Sequence, residues 1–482
     1  RGREMRLHQE RVLGVGGVRA LRALGIEPAA WHLNEGHSAF LLVERARELV
    51  ARGVPLQAAL AQVREHSVFT IHTPVSAGNE RFETDLVRRV ASPFLAPSGV
   101  DIERILEVGR GPDGDPGQFD MTGFSLRTSH RANAVSQLHA ETANETWQEV
   151  VGQPILGITN GVHPGTWLGG PIRELYGLVG ADLDKQDDDR PKDRFWDRLP
   201  RLSDEKLWDA HLEQKLELAL FARGRLRTQW ARHGEAPSEL AEVERLLDPS
   251  ILTIGFARRF ATYKRAGLLF TDEERLARLL WDEERPVQIV FAGKAHPADR
   301  PGQGVIQQIF ARSRSQRLKG RVMVLEDYDI RIGRYLVQGV DVWLNNPRRP
   351  LEASGTSGMK AAMNGVVNCS VLDGWWDEGW TGDNGWAIGE RETDPDEAAQ
   401  DWADAQSLYQ LLEQEIVPRW YDRDAAGLPR RWLGTMRKSM ASTVWRFSTA
   451  RMLEEYVEQM YLPAANGTPV PEPVGAGATS RS

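Results

Sequence analysis

From about Ser250 onward, short β-branched runs alternate with longer amphipathic stretches. The runs are bounded by Gly or Pro and predict five strands: Ile251–Ala257, Val287–Gly293, Arg321–Glu326, Val340–Asn345 and Val366–Val371. Helical periodicity between them predicts helices over Asp272–Trp281, Val305–Arg317 and Ile330–Gln338. This alternation is typical of the α/β class with a doubly wound parallel sheet, whose ligands bind beyond the carboxyl ends of the strands.

The first part of the chain is more irregular, although it repeats the pattern. Its predicted strands are Ala29–Leu33, Ser67–His72 and Ile155–Thr159, and its predicted helices are His37–Ala51, Met121–Arg131 and Val135–Val150. The glycines of Gly14-Val-Gly16-Gly17 follow no strand and lack a third dinucleotide-type glycine, so we interpret them as helix-packing residues.

Length and charge limit the classes of function. A chain of 482 residues suits two domains, and the net charge of -8 argues against nucleic acid or anionic lipid as a partner. The apolar runs are too short to cross a bilayer, so no membrane association is expected. A single cysteine, Cys369, excludes an internal disulfide framework and favours a reducing compartment, which we take to be the cytoplasm.

The most informative segment is Pro350-Leu-Glu-Ala-Ser-Gly-Thr-Ser-Gly-Met-Lys360-Ala-Ala-Met-Asn-Gly365. Small and hydroxyl residues crowd a turn after the strand Val340–Asn345, and a helix is predicted to begin near Ser357 with Lys360 in its first turn. Free backbone N–H groups at such a helix start favour anions. A lysine there opposes the helix dipole, so it is either a surface residue at a frayed end or a residue joined to a cofactor.

A second segment is rich in cations. Phe256-Ala-Arg-Arg259-Phe-Ala-Thr-Tyr-Lys264-Arg265 follows the strand Ile251–Ala257 and puts four positive charges in one connection. Like charges at that spacing repel each other unless anions lie between them. The segment is therefore either a basic surface patch or a site for phosphate groups at the ligand edge of the sheet.

These segments together resemble the signature segments of α-glucan phosphorylases. The resemblance rests on Glu352-Ala-Ser-Gly-Thr-Ser-Gly-Met-Lys360, Arg258-Arg259 with Lys264-Arg265, Glu326-Asp-Tyr328 and Thr159-Asn160-Gly161. In the first part, His32-Leu-Asn-Glu-Gly-His37, His72-Thr-Pro and Asn133-Ala-Val-Ser-Gln-Leu-His139 are similar to segments of the shorter prokaryotic branch. The similarity runs from about Arg3 to about Pro463 and implies two Rossmann-like lobes of the GT-B type.

The resemblance implies a cofactor and a set of site residues. Lys360 would hold pyridoxal 5'-phosphate through a Schiff base, and the other cofactor contacts would be Arg258, Lys264, Tyr328, Gly355 and Thr356. Arg259 and Lys264 would bind the substrate phosphate and count as catalytic, together with His139 and Lys360. The transferred glucosyl unit would be bound by His139, Asn160, Glu352, Ala353, Ser354 and Gly355, with Glu35 and His37 behind that pocket. No metal is expected.

The implied reaction is phosphorolysis of α-1,4-glucan ends by orthophosphate, releasing α-D-glucose 1-phosphate with retained configuration (EC 2.4.1.1). Phosphate would supply the acid and the nucleophile that glycosidases take from two carboxylates. Two alternatives stay open: an inactive or glucan-binding fragment, and a retaining sugar-nucleotide glucosyltransferase. The latter class usually carries a second glutamate where this chain has Lys360. A homo-oligomer is possible on the same resemblance.

The resemblance also implies a domain organisation. Residues 1–162 would be the remainder of the glucan-side domain, 163–435 the cofactor domain, 436–462 a helix returning to the first lobe, and 463–482 a disordered tail. Relatives carry a further segment ahead of the point where Arg1 begins, so we expect an incomplete N-terminal lobe. The charged stretch Asp182–Arg194 is predicted to loop over the surface, followed by a long helix over Asp204–His233.

Overall fold

The computed structural model describes residues 2–74, 79–180 and 195–466, and the chain folds into two compact units. Unit 1 comprises Arg1–Thr159 with Met452–Ser482, and unit 2 comprises Asn160–Arg451. The predicted surface stretch Asp182–Arg194 and most of the predicted disordered tail, residues 467–482, lie outside the described residues. No helix within the described ranges is both long and apolar enough to span a bilayer.

The strands are β1 (Trp31–Asn34), β2 (Ser67–Thr70), β3 (Arg81–Glu83), β4 (Gln118–Asp120), β5 (Arg131–Ala134), β6 (Leu156–Gly157), β7 (Leu252–Ala257), β8 (Val287–Ala292), β9 (Val322–Leu325), β10 (Val342–Asn345), β11 (Val367–Val371) and β12 (Gly385–Ile388).

The helices of unit 1 are α1 (Arg3–Ala23), α2 (Phe40–Val50), α3 (Leu56–Glu65), α4 (Thr84–Leu95), α5 (Ile102–Val108), α6 (Met121–Arg127) and α7 (Gln137–Val151). Unit 2 contains α8 (Pro164–Trp167), α9 (Gly170–Leu178), α10 (Asp204–Arg232), α11 (Pro237–Glu242), α12 (Glu273–Leu280), α13 (Arg300–Ser313), α14 (Ile330–Gly339), α15 (Thr356–Ala362), α16 (Trp375–Gly379), α17 (Glu397–Leu411), α18 (Val417–Tyr421) and α19 (Arg430–Thr443). The chain then passes through α20 (Thr449–Tyr456), a π-helical turn and α21 (Leu462–Asn466).

Unit 1 is built on a four-stranded parallel sheet in the order β1-β2-β5-β6. Its last helical segments close one face of the sheet, because Tyr456, Met460 and Ala464 pack with Val68 and Ile158. At the beginning of the chain, α1 packs against α2. A Cβ on Gly14 would lie 2.6 Å from the Leu41 nitrogen, so this glycine allows the two helices to approach.

The glycine interpretation holds for Gly14 alone. Gly16 and Gly17 are exposed, and a Cβ added at either would meet no packed neighbour closer than 4.0 Å. Gly16 and Gly17 therefore do not serve helix packing.

Unit 2 carries a six-stranded, wholly parallel sheet in the order β12-β11-β10-β7-β8-β9. Every residue of β7 to β11 is buried, because helices cover both faces and two separate apolar clusters fill them. The order places β7 beside β10, with later strands added outward on both sides, which is the doubly wound arrangement. The predicted α/β class with parallel sheets is confirmed.

Four strands, β3, β4, β5 and β12, escaped prediction, and one helix was predicted too long. The helix expected over Met121–Arg131 ends at Arg127, and residues Arg131–Ala134 form β5 between β2 and β6. Among the other missed strands, β12 is the edge strand beside β11, and β3 and β4 pair antiparallel with each other. These short strands are specified by their neighbours rather than by alternating local pattern.

Candidate functional site

The candidate site lies at the carboxyl ends of β7 and β10, the adjacent strands from which the sheet grows in opposite directions. Open α/β sheets bind ligands at this switch point, because the loops diverge there and leave a crevice. The connection after β7 contains Arg258 to Arg265, and the connection after β10 runs from Asn346 to Gly355. The cation-rich segment and the segment of small residues, both singled out in the sequence, therefore meet at one edge of the sheet.

Glu352 joins the two connections through its carboxylate. One oxygen lies 2.7 Å from Arg258 Nη2, and the other accepts a hydrogen bond of 2.9 Å from Lys264 Nζ. All three side chains are nearly buried, with exposures of 11% for Glu352, 4% for Arg258 and 9% for Lys264. Buried charges of this kind require mutual compensation, so the arrangement is a preformed cluster of two cations around one anion.

The electrostatics of this cluster alter two ionisation equilibria. Burial, followed by the charge of Arg258, lowers the pKa of Lys264 to about 8, and Glu352 opposes the shift. Burial alone would raise the pKa of Glu352, but Arg258 and then Lys264 outweigh it and hold that pKa below its ordinary value. Glu352 is therefore ionised near neutral pH. Lys264, with a pKa of about 8, titrates just above neutral pH.

The other two cations of the β7 connection have different roles. Arg265 is paired with Asp404 at 2.7 Å and Asp401 at 2.8 Å, and it also donates to the carbonyls of Asn346 and Pro347. Arg265 thus fastens the β7 connection to the β10 connection instead of facing Glu352. Arg259 is exposed.

The stretch from Glu352 to Thr356 is shaped by backbone contacts. Gly355 has φ 82° and precedes Thr356, the first residue of α15, so a left-handed residue begins the helix. The Ser354 carbonyl accepts a hydrogen bond of 2.8 Å from the Trp375 N–H. Ser354 is buried, and its Oγ has no hydrogen-bond partner among the described residues. Ala353 lies between Glu352 and Ser354 in this turn.

Lys360 lies in the last turn of α15 rather than in its first turn, as the sequence had suggested. A lysine near a helix C-terminus is favoured by the dipole, so the dipole argument for a special role was wrong. The position is unusual for another reason: Nζ sits 3.7 Å from the centre of the Trp167 ring. Burial lowers the pKa of Lys360, which increases the fraction of neutral amine.

Trp167 is a site residue that sequence reasoning missed. Its carbonyl accepts hydrogen bonds from the side chains of Asn364, just after α15, and Gln338 of α14, which hold α8 beside both helices. Trp167 lies close in the sequence to Asn160 and Gly161, and this closeness was a signal that it belongs to the site. A lone tryptophan nevertheless gives no indication of which lysine it covers.

Tyr328 and Asn160 are placed separately from the Glu352 cluster. Tyr328 follows β9 and packs beside α14, where a Cβ on Gly333 would approach its hydroxyl at 2.8 Å. Burial raises the pKa of Tyr328. The half-buried Asn160 begins unit 2 and its carbonyl accepts from Arg451 at 3.3 Å. The structure describes no hydrogen bond from either side chain to Lys360 or Glu352.

His139 belongs to unit 1, in the first turn of α7. It is 2% exposed, and its Nδ1 accepts from the Val135 N–H at 3.4 Å. Burial lowers the pKa of His139 to about 4, so the ring is neutral at physiological pH.

A second histidine of unit 1, His72, was quoted in the sequence without a role. It follows β2, is half-buried, and its Nε2 contacts Asn34 at the end of β1. Glu35 accepts hydrogen bonds of 2.6 Å from the His72 N–H and 2.9 Å from the Thr73 hydroxyl, with its own backbone at φ 67°. His72 and Glu35 thus share the ligand edge of the first parallel sheet.

His37 does not join Glu35. Its Nδ1 lies 3.0 Å from Arg6 Nη2, in a group with Glu10 and Glu80 whose ligand atoms fall within 4.8 Å of one another. Such a group has the residue types of a metal site. Arg6 already donates to Glu80 at 2.9 Å and lies 3.0 Å from Glu10, so a guanidinium supplies the positive charge there.

Comparison with known proteins identifies the family. The profile of the family described as "Carbohydrate phosphorylase" matches residues 100–416. The chain is 45% identical over 469 residues to the maltodextrin phosphorylase of Thermococcus litoralis, covering 95% of this chain and 54% of that protein. It is 40% identical over 463 residues to the glycogen phosphorylase of Aquifex aeolicus, with coverage of 95% and 66%.

A third relative, the glycogen phosphorylase of Mycobacterium tuberculosis (strain CDC 1551 / Oshkosh), is 41% identical over 484 residues, with coverage of 96% and 55%. The chain thus spans between 54% and 66% of the length of these three relatives. The family profile extends across both units and includes the β7 and β10 connections. The chain therefore belongs to the carbohydrate phosphorylase family.

Proposed function

We propose that the protein containing this chain cleaves α-1,4-glucan ends with orthophosphate and releases α-D-glucose 1-phosphate with retained configuration. The observation that carries the proposal is the buried cluster of Arg258, Lys264 and Glu352 at the switch point of the unit 2 sheet. Fixed positive charge in a water-poor crevice stabilises phosphate and the charge that develops during its reaction. The names of the relatives support the same reaction class.

The proposed cofactor is pyridoxal 5'-phosphate, held by Lys360. Two observations fit this group: the half-buried Lys360 amine lies over the Trp167 ring with a lowered pKa, and Arg258 Nη1 is buried without a hydrogen-bond partner among the described residues. The further contacts would come from Lys264, Tyr328, Gly355 and Thr356. When bound, the cofactor contributes its phosphate group as a proton-exchanging neighbour of the substrate phosphate.

In the proposed reaction the cations hold and orient orthophosphate. Arg259, which is exposed, and Lys264 would bind it. Orthophosphate would then protonate the glycosidic oxygen and capture the oxocarbenium-like sugar on the same face. Lys264, with a pKa of about 8, can stabilise a phosphate that gains and loses a proton near neutral pH.

The residues proposed to bind the glucosyl unit are those that the family resemblance implies. In unit 2 the proposed contacts are Asn160, Glu352, Ala353, Ser354 and Gly355, and in unit 1 His139 has the same role. Ser354 offers a buried hydroxyl that has no partner in the described structure, which suits a sugar hydroxyl. His72 is a further candidate in unit 1, since its ring is more accessible than that of His139.

The family match favours neither of the two alternatives, a retaining sugar-nucleotide glucosyltransferase and an inactive or glucan-binding fragment. The cytoplasmic location, the homo-oligomer and the incomplete first lobe stay predictions.

A borohydride experiment tests the proposal. Incubation with pyridoxal 5'-phosphate and reduction should leave one labelled peptide, the one that contains Lys360, and Lys360→Arg should abolish the label. Lys294→Arg is the matched control, because Lys294 is an exposed lysine after β8 at the same sheet edge. A label elsewhere refutes the cofactor assignment. A glucan-containing assay of the longer protein that shows no phosphate-dependent release of glucose 1-phosphate refutes the reaction.

A further inference from the structure

Asp373 is a buried carboxylate that the proposed reaction does not use. It lies in the connection between β11 and α16 and is 2% exposed. Burial, and then the negative charge of Glu352, raise the pKa of Asp373 to about 7, while Arg349 opposes the shift. A carboxylate at such a position is costly to the fold, so its contacts are informative.

Both oxygens of Asp373 are used by backbone donors of two different connections. Oδ2 accepts a hydrogen bond of 2.9 Å from the N–H of Glu352, and Oδ1 accepts one of 2.8 Å from the N–H of Gly374. The carboxylate therefore bridges the connection that follows β10 and the connection that follows β11.

The close approach of the two connections depends on a glycine. Gly374 has φ 55°, and a Cβ there would lie 2.4 Å from the Ser354 carbonyl oxygen and 2.9 Å from that of Glu352. The Trp375 N–H adds a hydrogen bond of 2.8 Å to the Ser354 carbonyl. The successive residues Asp373, Gly374 and Trp375 thus contact the backbone on either side of the Glu352 side chain.

We propose that Asp373 is a positioning residue, which fixes the Glu352 backbone so that the Glu352 carboxylate stays between Arg258 and Lys264. The geometric claim stands on the described contacts, and its consequence for turnover rests on the proposed function. Asp373 contacts neither cation, so its effect on Lys264 passes through Glu352.

Asp373→Asn tests this role. The amide retains one acceptor oxygen but turns an NH2 group towards one of the two N–H donors, so one bridge contact is lost. We expect acetylation of Lys264 by a limiting reagent, quantified by mass spectrometry, to rise about fivefold as Glu352 leaves the cations. Glu352→Gln should raise it at least as much. The double variant should match Glu352→Gln alone, because both changes act through one carboxylate.

The control separates positioning from general loosening. Asp120→Asn removes a buried carboxylate that accepts from the Gly123 N–H in unit 1, and it should lower stability without changing the Lys264 labelling. Labelling in Asp373→Asn within twofold of the unchanged protein overturns the proposal. So does an effect of Asp373→Asn that persists in full on top of Glu352→Gln.

Turnover provides the second readout. If the longer protein is active, Asp373→Asn should raise the KM for orthophosphate about tenfold with a smaller change in kcat, because the cations that bind phosphate are disturbed first. An unchanged KM overturns the inference. A longer protein without phosphorolysis would instead refute the proposed function, and the labelling result would still decide the role of Asp373.

Discussion

The carboxylate of Glu352 shares its burial with two cations, and each member of the group depends on the others. Removing one partner of a buried pair leaves an uncompensated charge, which costs far more than the pair contributes relative to apolar residues. The same group sets the protonation of Lys264, because the Glu352 carboxylate accepts a hydrogen bond from Lys264 Nζ and opposes the lowering of its pKa.

Glu352→Gln should therefore destabilise the protein by about 3–5 kcal/mol and lower the pKa of Lys264 below about 8. Chemical unfolding and the pH dependence of Lys264 acetylation measure the two effects. Orthophosphate or sulfate should restore part of the stability, because either anion replaces the lost charge. A Lys264 pKa that rises in this variant would contradict the description of the cluster.

His139 predicts a pH dependence of stability. Its pKa is about 4 in the folded protein against 6.5 in an unfolded chain, so between these values the unfolded state binds more protons. The folded state therefore loses stability as pH falls from 6.5 towards 4, by roughly 3 kcal/mol at most from this group. His139→Asn should reduce the difference in unfolding temperature between pH 7 and pH 5.

The control for that measurement is His8→Gln, which removes a histidine of α1 whose side chain is 39% exposed. Its pH profile should match that of the unchanged protein. An identical profile for His139→Asn would mean that His139 does not titrate as a buried neutral ring.

Among the elements, α15 shows how a short helix is placed by its first residue and its neighbours. Gly355 starts it in a left-handed conformation, and a Cβ on Gly355 would lie 3.3 Å from Glu352 Cγ. At position 355, both the backbone conformation and the space for a side chain are therefore restricted.

Gly355→Ala should cost roughly 1–2 kcal/mol from the left-handed conformation and should also displace Glu352. Gly382→Ala is the matched control, because Gly382 has φ 89° and open space around its Cβ direction. Gly382→Ala should lose only the part that comes from the left-handed conformation, and Gly355→Ala should lose more in chemical unfolding because Glu352 moves. Only Gly355→Ala should alter Lys264 acetylation, and equal labelling in the two variants would contradict this expectation.

Sequence patterns predicted the strands well where every residue of the strand is buried. β7 to β11 are wholly buried and mostly apolar, and each predicted range contains the observed strand. β5 was missed because Arg131-Ala-Asn-Ala has little strand propensity and is held by pairing with β2 and β6. The position of Lys360 within α15 was wrong because the left-handed Gly355 begins the helix earlier than the serine suggested.

At the level of the whole chain, the proposed cofactor contacts all fall in unit 2, whereas His139 falls in unit 1. A ligand that binds only the folded state stabilises the part of the chain that contacts it. The division into units therefore predicts an asymmetric response to pyridoxal 5'-phosphate.

At 100 times its dissociation constant, pyridoxal 5'-phosphate should stabilise unit 2 by about 2.7 kcal/mol. Hydrogen exchange should slow at residues 258–264 and 352–360, while α3 to α5 of unit 1 keep their exchange rates. Lys360→Ala should remove the effect. Equal slowing throughout unit 1 would contradict the assignment of the cofactor to unit 2.

Local pattern was sufficient for the α/β class, for most strand and helix ranges, and for the charged and glycine-rich segments, because periodicity and residue type are properties of neighbours in the chain. It was insufficient for the pairing of Arg258 and Lys264 with Glu352, the diversion of Arg265 to Asp401 and Asp404, and the contact of Asp373 with the Glu352 N–H.

Those contacts join residues that are distant in the chain, and they exist because the sheet order places β7 beside β10 and β10 beside β11. Strand order is decided by the packing of both faces of the sheet, which no short segment encodes. Four cations in one connection were therefore visible as a group, but only the tertiary structure divided them into a buried pair facing Glu352, a fastening arginine and an exposed one.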